Sequence, residues 1–162
     1  MLIHIPERLV PFAVFGIGGV MLVLIMLVHG FGLDQIVARY KRKSTLMREE
    51  CRHPKLVVLI FAGTIFLMLI LHCLEILMWT ALLYGGGLVE NIHRAAYFSA
   101  NAYTTLGMGS MVLPSDWHEL SPMIAISGLF SFAWTTSEMF NIVGDQHELV
   151  EELTSKRQQK TQ

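Results

Sequence analysis

From Leu9 to Leu33 the chain runs 25 residues without an Asp, Glu, Lys or Arg. Coiled as a helix at about 1.5 Å per residue, such a run is long enough to cross a hydrocarbon core of roughly 30 Å. Leu56 to Leu74 is a second uncharged run, continuing in apolar residues past Glu75 to Tyr84. Leu120 to Ser137 is a third, continuing past Glu138 to Val143. With 53% of its 162 residues hydrophobic, the chain is richer in apolar side chains than a soluble domain. The expectation is an all-α membrane protein with three transmembrane helices. The first is read as retained: its apolar run exceeds the roughly 7–15 residues of a signal-sequence core, and no A-x-A-like site follows.

The net charge of −1 conceals an asymmetry. Seven of the twelve Lys and Arg lie between the first two spans: Arg39, Lys41, Arg42, Lys43, Arg48, Arg52 and Lys55. Arg8 alone precedes the first span, and Arg94 alone lies between the second and third. The positive-inside rule makes the basic segment cytoplasmic, so the N-terminus is expected outside and the tail with Lys156, Arg157 and Lys160 inside. Trp79, Tyr84 and Trp117 suit the outer aromatic belt and Tyr40 the inner one. Cys51 and Cys73 then fall in the cytoplasmic segment and within a helix, so no disulfide framework is implied.

Gly85, Gly86 and Gly87 break the second span, and Val89 to Thr104 follows as a short apolar segment of good helix formers. About 14 helical residues cover only some 20 Å. The chain from 85 to 118 must therefore leave and return on one face, as a re-entrant loop does. Non-helical backbone at membrane depth is tolerated only where it is buried in protein or lines water, which gives a role to the turn after this segment, "TLGMGS" (105–110). A filter that strips water from an alkali cation replaces hydration oxygens with stacked backbone carbonyls. Aiming successive carbonyls one way requires left-handed dihedrals at alternate positions, for which Gly107 and Gly109 are placed. Thr105 fits the inner end, where hydroxyl and carbonyl both coordinate, and the short helix aims its negative C-terminal end there.

The stretch "YFSANAYTTLGMG" (97–109) and its flanking spans resemble the pore domain of the two-transmembrane potassium channel family, whose signature is T-x-G-Y-G-D or a close variant. "LFSFAWTTSEMF" (129–140) resembles the inner helix of bacterial members. The resemblance covers Leu56 to Val143 and implies a homotetramer of voltage-gated-like pore architecture in a bacterial inner (plasma) membrane, with K+, or Na+, as permeant ion. Thr105, Leu106, Gly107, Met108 and Gly109 would be the ion-binding filter. Tyr97, Phe98, Asn101, Thr104 and Ser110 would support it, the aromatics bracing and Asn101 sitting behind. Two departures stand out. The usual Tyr braces the filter by an outward hydrogen bond, whereas Met108 offers only a flexible thioether. Ser110 replaces an Asp, removing four acidic charges from a tetramer's outer mouth. Cation passage with a weaker preference for potassium over sodium is the expectation. The alternatives are a non-selective monovalent cation channel and a non-conducting scaffold or sensor that keeps the fold.

At 100° per residue, Ser127, Ser131, Thr135, Glu138, Asn141 and Asp145 fall within roughly 120° of one another. A polar stripe on a spanning helix suits a water-filled path, and Ser127, Ser131, Thr135, Glu138 and Asn141 are expected to line it. Ser and Thr also satisfy backbone carbonyls or bond across helices; an intramembrane carboxylate such as Glu138 faces a cavity or a partner. Trp134 suits narrowing the path and packing between subunits equally. His72, Cys73 and Glu75 share a turn, but so few ligands do not close a metal coordination sphere, and Glu75 is expected to hydrogen-bond the pore loop or a neighbouring helix. His29 reads as a satisfied or interfacial histidine. The basic run "RYKRK" (39–43) suits anionic lipid headgroups. No nucleophile stands at a useful spacing from a base and no glycine loop precedes a Lys, so an enzyme is not expected; no nucleic-acid partner is expected either. The organisation is a first helix over 1–33, a basic cytoplasmic loop over 34–55, a pore domain over 56–144 and a cytoplasmic tail over 145–162. Within the pore domain the outer helix spans 56–84, the pore helix and filter 89–110 and the inner helix 119–144.

Overall fold

The computed structural model describes residues 10–50, 54–108 and 113–160. Among them there is no strand. Helix α1 covers Val10–Glu50, α2 Pro54–Gly85, α3 Ile92–Tyr103 and α4 Leu120–Lys160, with a 3₁₀ turn at Ser115–Trp117 ahead of α4. Two helices, α1 over Phe12–Arg48 and α2 over Leu56–Gly85, are long and apolar enough to cross a membrane. Helix α4, where a third span is expected, is not one of them: Ser121, Pro122, Ser127, Ser131 and Thr135 to Ser137 dilute its apolar run.

Two boundaries differ from the sequence expectation. The basic segment 34–55 is not a loop over its first part: α1 stays helical through Arg39–Lys43 to Glu50. Between Leu33 and Glu50 there is no Gly or Pro, and Arg, Lys, Leu, Met and Glu are all good helix formers. The tail from 145 is helical, as the spacing of Glu152 and Lys156 suits, but it continues α4 to Lys160 without a break, and that pair closes at 2.7 Å.

The contacts divide the chain into two compact units. The first comprises the described residues up to His29 together with His72–Phe132. Its core is built on Trp79, Leu83, Ala95, Tyr103, Leu120 and Ile124, closed by Val14 and Ile25 of α1. Trp79 is not in an interfacial belt; it is fully buried, and its Nε1 donates to Ser127 Oγ at 2.9 Å. Trp117 is buried as well, whereas Tyr84 is exposed. The second unit comprises Gly30–Leu71 and the chain from Ala133 onward. Met47, Val57, Leu149 and Leu153 form its core. Tyr40, also buried rather than interfacial, donates its hydroxyl to the Ile142 carbonyl at 3.3 Å.

Helices α2 and α3 end in the same way, on different residues. After α2 the amide of Leu88 reaches the Leu83 carbonyl at 3.0 Å and that of Gly87 reaches Tyr84 at 3.1 Å. This paired closure is a Schellman motif, and its left-handed position is taken by Gly87 with φ 71°. After α3 the amide of Leu106 reaches Asn101 at 2.9 Å and that of Thr105 reaches Ala102 at 3.0 Å. Here the left-handed position is Thr105, φ 55°. A β-branched residue in that region is strained, and such strain concentrates where backbone geometry serves a purpose.

Candidate functional site

The segment that the sequence singles out begins with α3. Asn91 caps it, its Oδ1 accepting from the amides of His93 at 2.8 Å and Arg94 at 3.3 Å. The helix has 12 residues, roughly 18 Å, and its carbonyl end opens onto Thr104 and Thr105. Thr105 and Gly107 have φ 55° and 66°, while Leu106 between them stays in the ordinary negative region. The sequence argument reserves the left-handed positions for glycines and so misses Thr105. Gly109 and Ser110, expected as a filter and a support residue, lie outside the described residues.

In the single chain the loop is open. Thr104, Thr105, Leu106, Gly107 and Met108 are exposed, Leu106 and Met108 by 59% and 61%. Beside it lies a cavity of about 380 Å³ lined by Phe98, Asn101, Thr105, Met108 and, from α4, Pro122 and Ala125. Phe98 and Asn101 share this cavity with Thr105, Gly107 and Met108 of the loop, and Asn101 also carries the Leu106 amide on its carbonyl. Its side chain donates to the Tyr97 carbonyl at 2.8 Å, leaving a buried Oδ1 with no partner among the described residues. Thr104 donates to Ala100 at 2.7 Å. Tyr97 is 53% exposed.

The densest polar constellation in the first unit lies beneath this loop and centres on Glu75, which is fully buried. Its Oε1 accepts from Nδ1 of His29 at 2.6 Å. Its Oε2 accepts from the Tyr103 hydroxyl at 2.6 Å and from Ser131 Oγ at 2.7 Å. His72 Nδ1 stands 2.8 Å from the same Tyr103 oxygen. A hydroxyl has one proton, and the carboxylate takes it, so His72 carries its proton on Nδ1 and donates to Tyr103. Phe132 closes the set, stacked on His72 with ring centres 4.6 Å apart and edge-on to Tyr103. The expectation that Glu75 hydrogen-bonds the pore loop or a neighbouring helix is met by helices: its partners stand on α1, α3 and α4. Tyr103, the last residue of α3 and the link between Glu75 and His72, escaped the sequence reading. His29, His72 and Glu75 also have donor atoms within 4.8 Å of one another, a partial metal-ligand set, in which the hydroxyls of Tyr103 and Ser131 already satisfy the carboxylate. Cys73 is exposed and takes no part.

The polar stripe of α4 divides. Ser127 and Ser131 cannot line a water path, because both are completely buried in their own unit. Ser127 accepts from Trp79 and donates to the Ile124 carbonyl at 2.7 Å, and Ser131 bonds Glu75. Helical periodicity groups these hydroxyls on one side but does not say which way the side faces. Thr135 and Glu138 are half-buried and Asn141 exposed, with Asn141 Nδ2 3.4 Å from Glu138 Oε2. Trp134, 44% exposed, lies against α1 at Gly30, where an added Cβ would come within 2.8 Å of its ring.

Compared with protein-family models, curated proteins and solved structures, the chain matches none.

Proposed function

We propose that the chain is one subunit of a homotetrameric membrane channel that passes monovalent cations, potassium among them, over the carbonyls of residues 105–109. The observation that carries this reading is the left-handed backbone at Thr105 and Gly107, two residues apart, directly after a short capped helix. Alternating handedness turns successive carbonyls toward one side instead of to opposite sides as in a strand. Holding a Thr in that conformation costs about 1–2 kcal/mol, a cost the chain avoids at the equivalent position after α2 by using Gly87.

Three further features support the reading. The loop's side chains are exposed in one chain, as expected of a segment completed by other copies around an axis. Phe15, Leu27, Phe31, Phe66, Leu77 and Phe130 present large apolar surface, which suits hydrocarbon or subunit contact. The buried Glu75 network holds the end of α3 to α1, α2 and α4 within one unit. In this reading Met108 supplies no lateral brace, and the filter is instead steadied from its inner end, where Tyr103 precedes it by two residues. The result is a carbonyl filter with less lateral stiffness than one braced by Tyr, and so a smaller preference for potassium over sodium. Thr135, Glu138 and Asn141 remain as the polar positions of α4 that face the conduction path.

The test is reconstitution of purified protein in potassium-loaded vesicles, with reversal potentials measured in mixed potassium and sodium salts. A tetramer with potassium permeability of a few times sodium is expected. A monomer or dimer, or vesicles that hold both ions, would overturn the reading; equal permeabilities would leave the non-selective alternative.

A further inference from the structure

The second unit contains a groove of about 530 Å³ near the α1–α2 connection, between the basic end of α1 and the start of α2. Its walls are apolar: Ile36 and Met47 from α1, Leu56, Ile60 and Leu67 from α2. Leu46 and Leu59 at its margin are 47% and 66% exposed, and at Gly63 an added Cβ would meet nothing within 4 Å, so the groove is open along α2. Arg39 and Lys43 line the same groove. They stand one helical turn apart on one face of α1, both exposed, and neither pairs with a carboxylate among the described residues. By contrast Arg48, further along the helix, has Glu152 at 3.6 Å.

An apolar trough with two uncompensated cations suits one kind of occupant, a molecule with a long hydrocarbon chain and an anionic head. A soluble anion would have no use for the trough, and a neutral lipid none for the cations. We infer that the groove is a binding site for an anionic glycerophospholipid of the surrounding membrane, with an acyl chain between α1 and α2 and the phosphate between Arg39 and Lys43. Basic pockets between spanning helices at the cytoplasmic side recognise lipid headgroups in this way, and the trough retains the molecule beyond what surface charge alone would do. The inference rests on the membrane placement of α1 and α2 and is independent of ion conduction.

The experiment is native mass spectrometry of the detergent-extracted full chain, titrated with phosphatidylglycerol and with phosphatidylcholine of identical acyl chains. Phosphatidylglycerol is expected to bind at least tenfold more tightly. Arg39→Gln with Lys43→Gln should weaken phosphatidylglycerol by about fivefold per charge and leave phosphatidylcholine unchanged. Gly63→Leu, which fills the trough and leaves both cations in place, should weaken both lipids. Equal binding of the two lipids, indifference of phosphatidylglycerol to the double substitution, or a groove covered by a second copy and taking up no lipid would each overturn the inference. Recovery of the protein in the soluble fraction without detergent would instead remove the membrane placement itself, and ion flux measured on the same preparation reports on the channel separately.

Discussion

Gly128 offers the most direct test of how the end of α3 is held. A Cβ at this position would overlap the carbonyl oxygen of Tyr103, and would lie 2.9 Å from its carbonyl carbon and 3.1 Å from its Cγ. All three atoms belong to one residue that is fixed twice, by the last turn of α3 and by the hydrogen bonds of its hydroxyl to Glu75 and His72. No flexible side chain is available to move aside. Gly128→Ala must therefore push α4 away from α3 or displace the Tyr103 backbone. Overpacking of this kind costs about 1–3 kcal/mol, and pulling the phenol from the Glu75 carboxylate adds about 1.5–3 kcal/mol for a bond to a charged group. The expected loss is about 2.5–6 kcal/mol. Gly144→Ala, also inside α4 but with nothing within 4 Å of the added methyl, is the control and should gain about 0.5–1 kcal/mol from helix propensity.

Thermal unfolding of the detergent-purified proteins, read by retention of the assembled species on a sizing column, gives the order of stability. The expected order is Gly144→Ala, then the parent, then Gly128→Ala, with a clear gap before the last. Potassium flux should fall in Gly128→Ala more than its residual assembly accounts for, since the displaced carbonyl is two residues from Thr105. Equal stability of Gly128→Ala and the parent would mean that α3 and α4 do not approach this closely, and the description of a clamped α3 end would fail.

A double-mutant cycle with Glu75→Gln and Tyr103→Phe should return a coupling of about 0.5–3 kcal/mol in unfolding; additive effects would remove the bond between them from any role in holding the fold. Thr105→Gly should relieve the left-handed strain yet lower potassium affinity, by calorimetry or flux, because it removes the hydroxyl at the inner end; unchanged affinity would take the Thr105 side chain out of the site. Met108→Tyr combined with Ser110→Asp should raise the potassium-to-sodium permeability ratio in bilayer recordings, and an unchanged ratio would refute the link between lateral bracing and selectivity. Glu138→Gln should reduce single-channel conductance at low salt, where fixed charge is least screened, and an unaltered conductance would place Glu138 away from the path.

Helix content and apolar length were legible because they depend on single-residue properties summed over long windows, so Leu9–Leu33 and Leu56–Leu74 announce themselves. The ends of α1 and α4 were less so: nothing between Leu33 and Glu50 forbids helix, and a change from apolar to basic side chains moves the medium boundary without breaking the backbone. The Glu75 network was legible only as a need. An apolar helix that carries His29, or His72 and Glu75, must find partners for them, but the partners are 28 residues away at Tyr103 and 56 away at Ser131, a separation no local pattern encodes. The same network explains why the stripe on α4 misled. Ser127 and Ser131 are polar because Trp79 and Glu75 face them, so their hydroxyls serve the chain's own interior. A polar residue on a spanning helix is thus a statement about some partner, and a buried Trp indole or carboxylate elsewhere in the chain competes with solvent for that role. Where both are present, counting the chain's own buried donors and acceptors first decides which hydroxyls are left to face a pore.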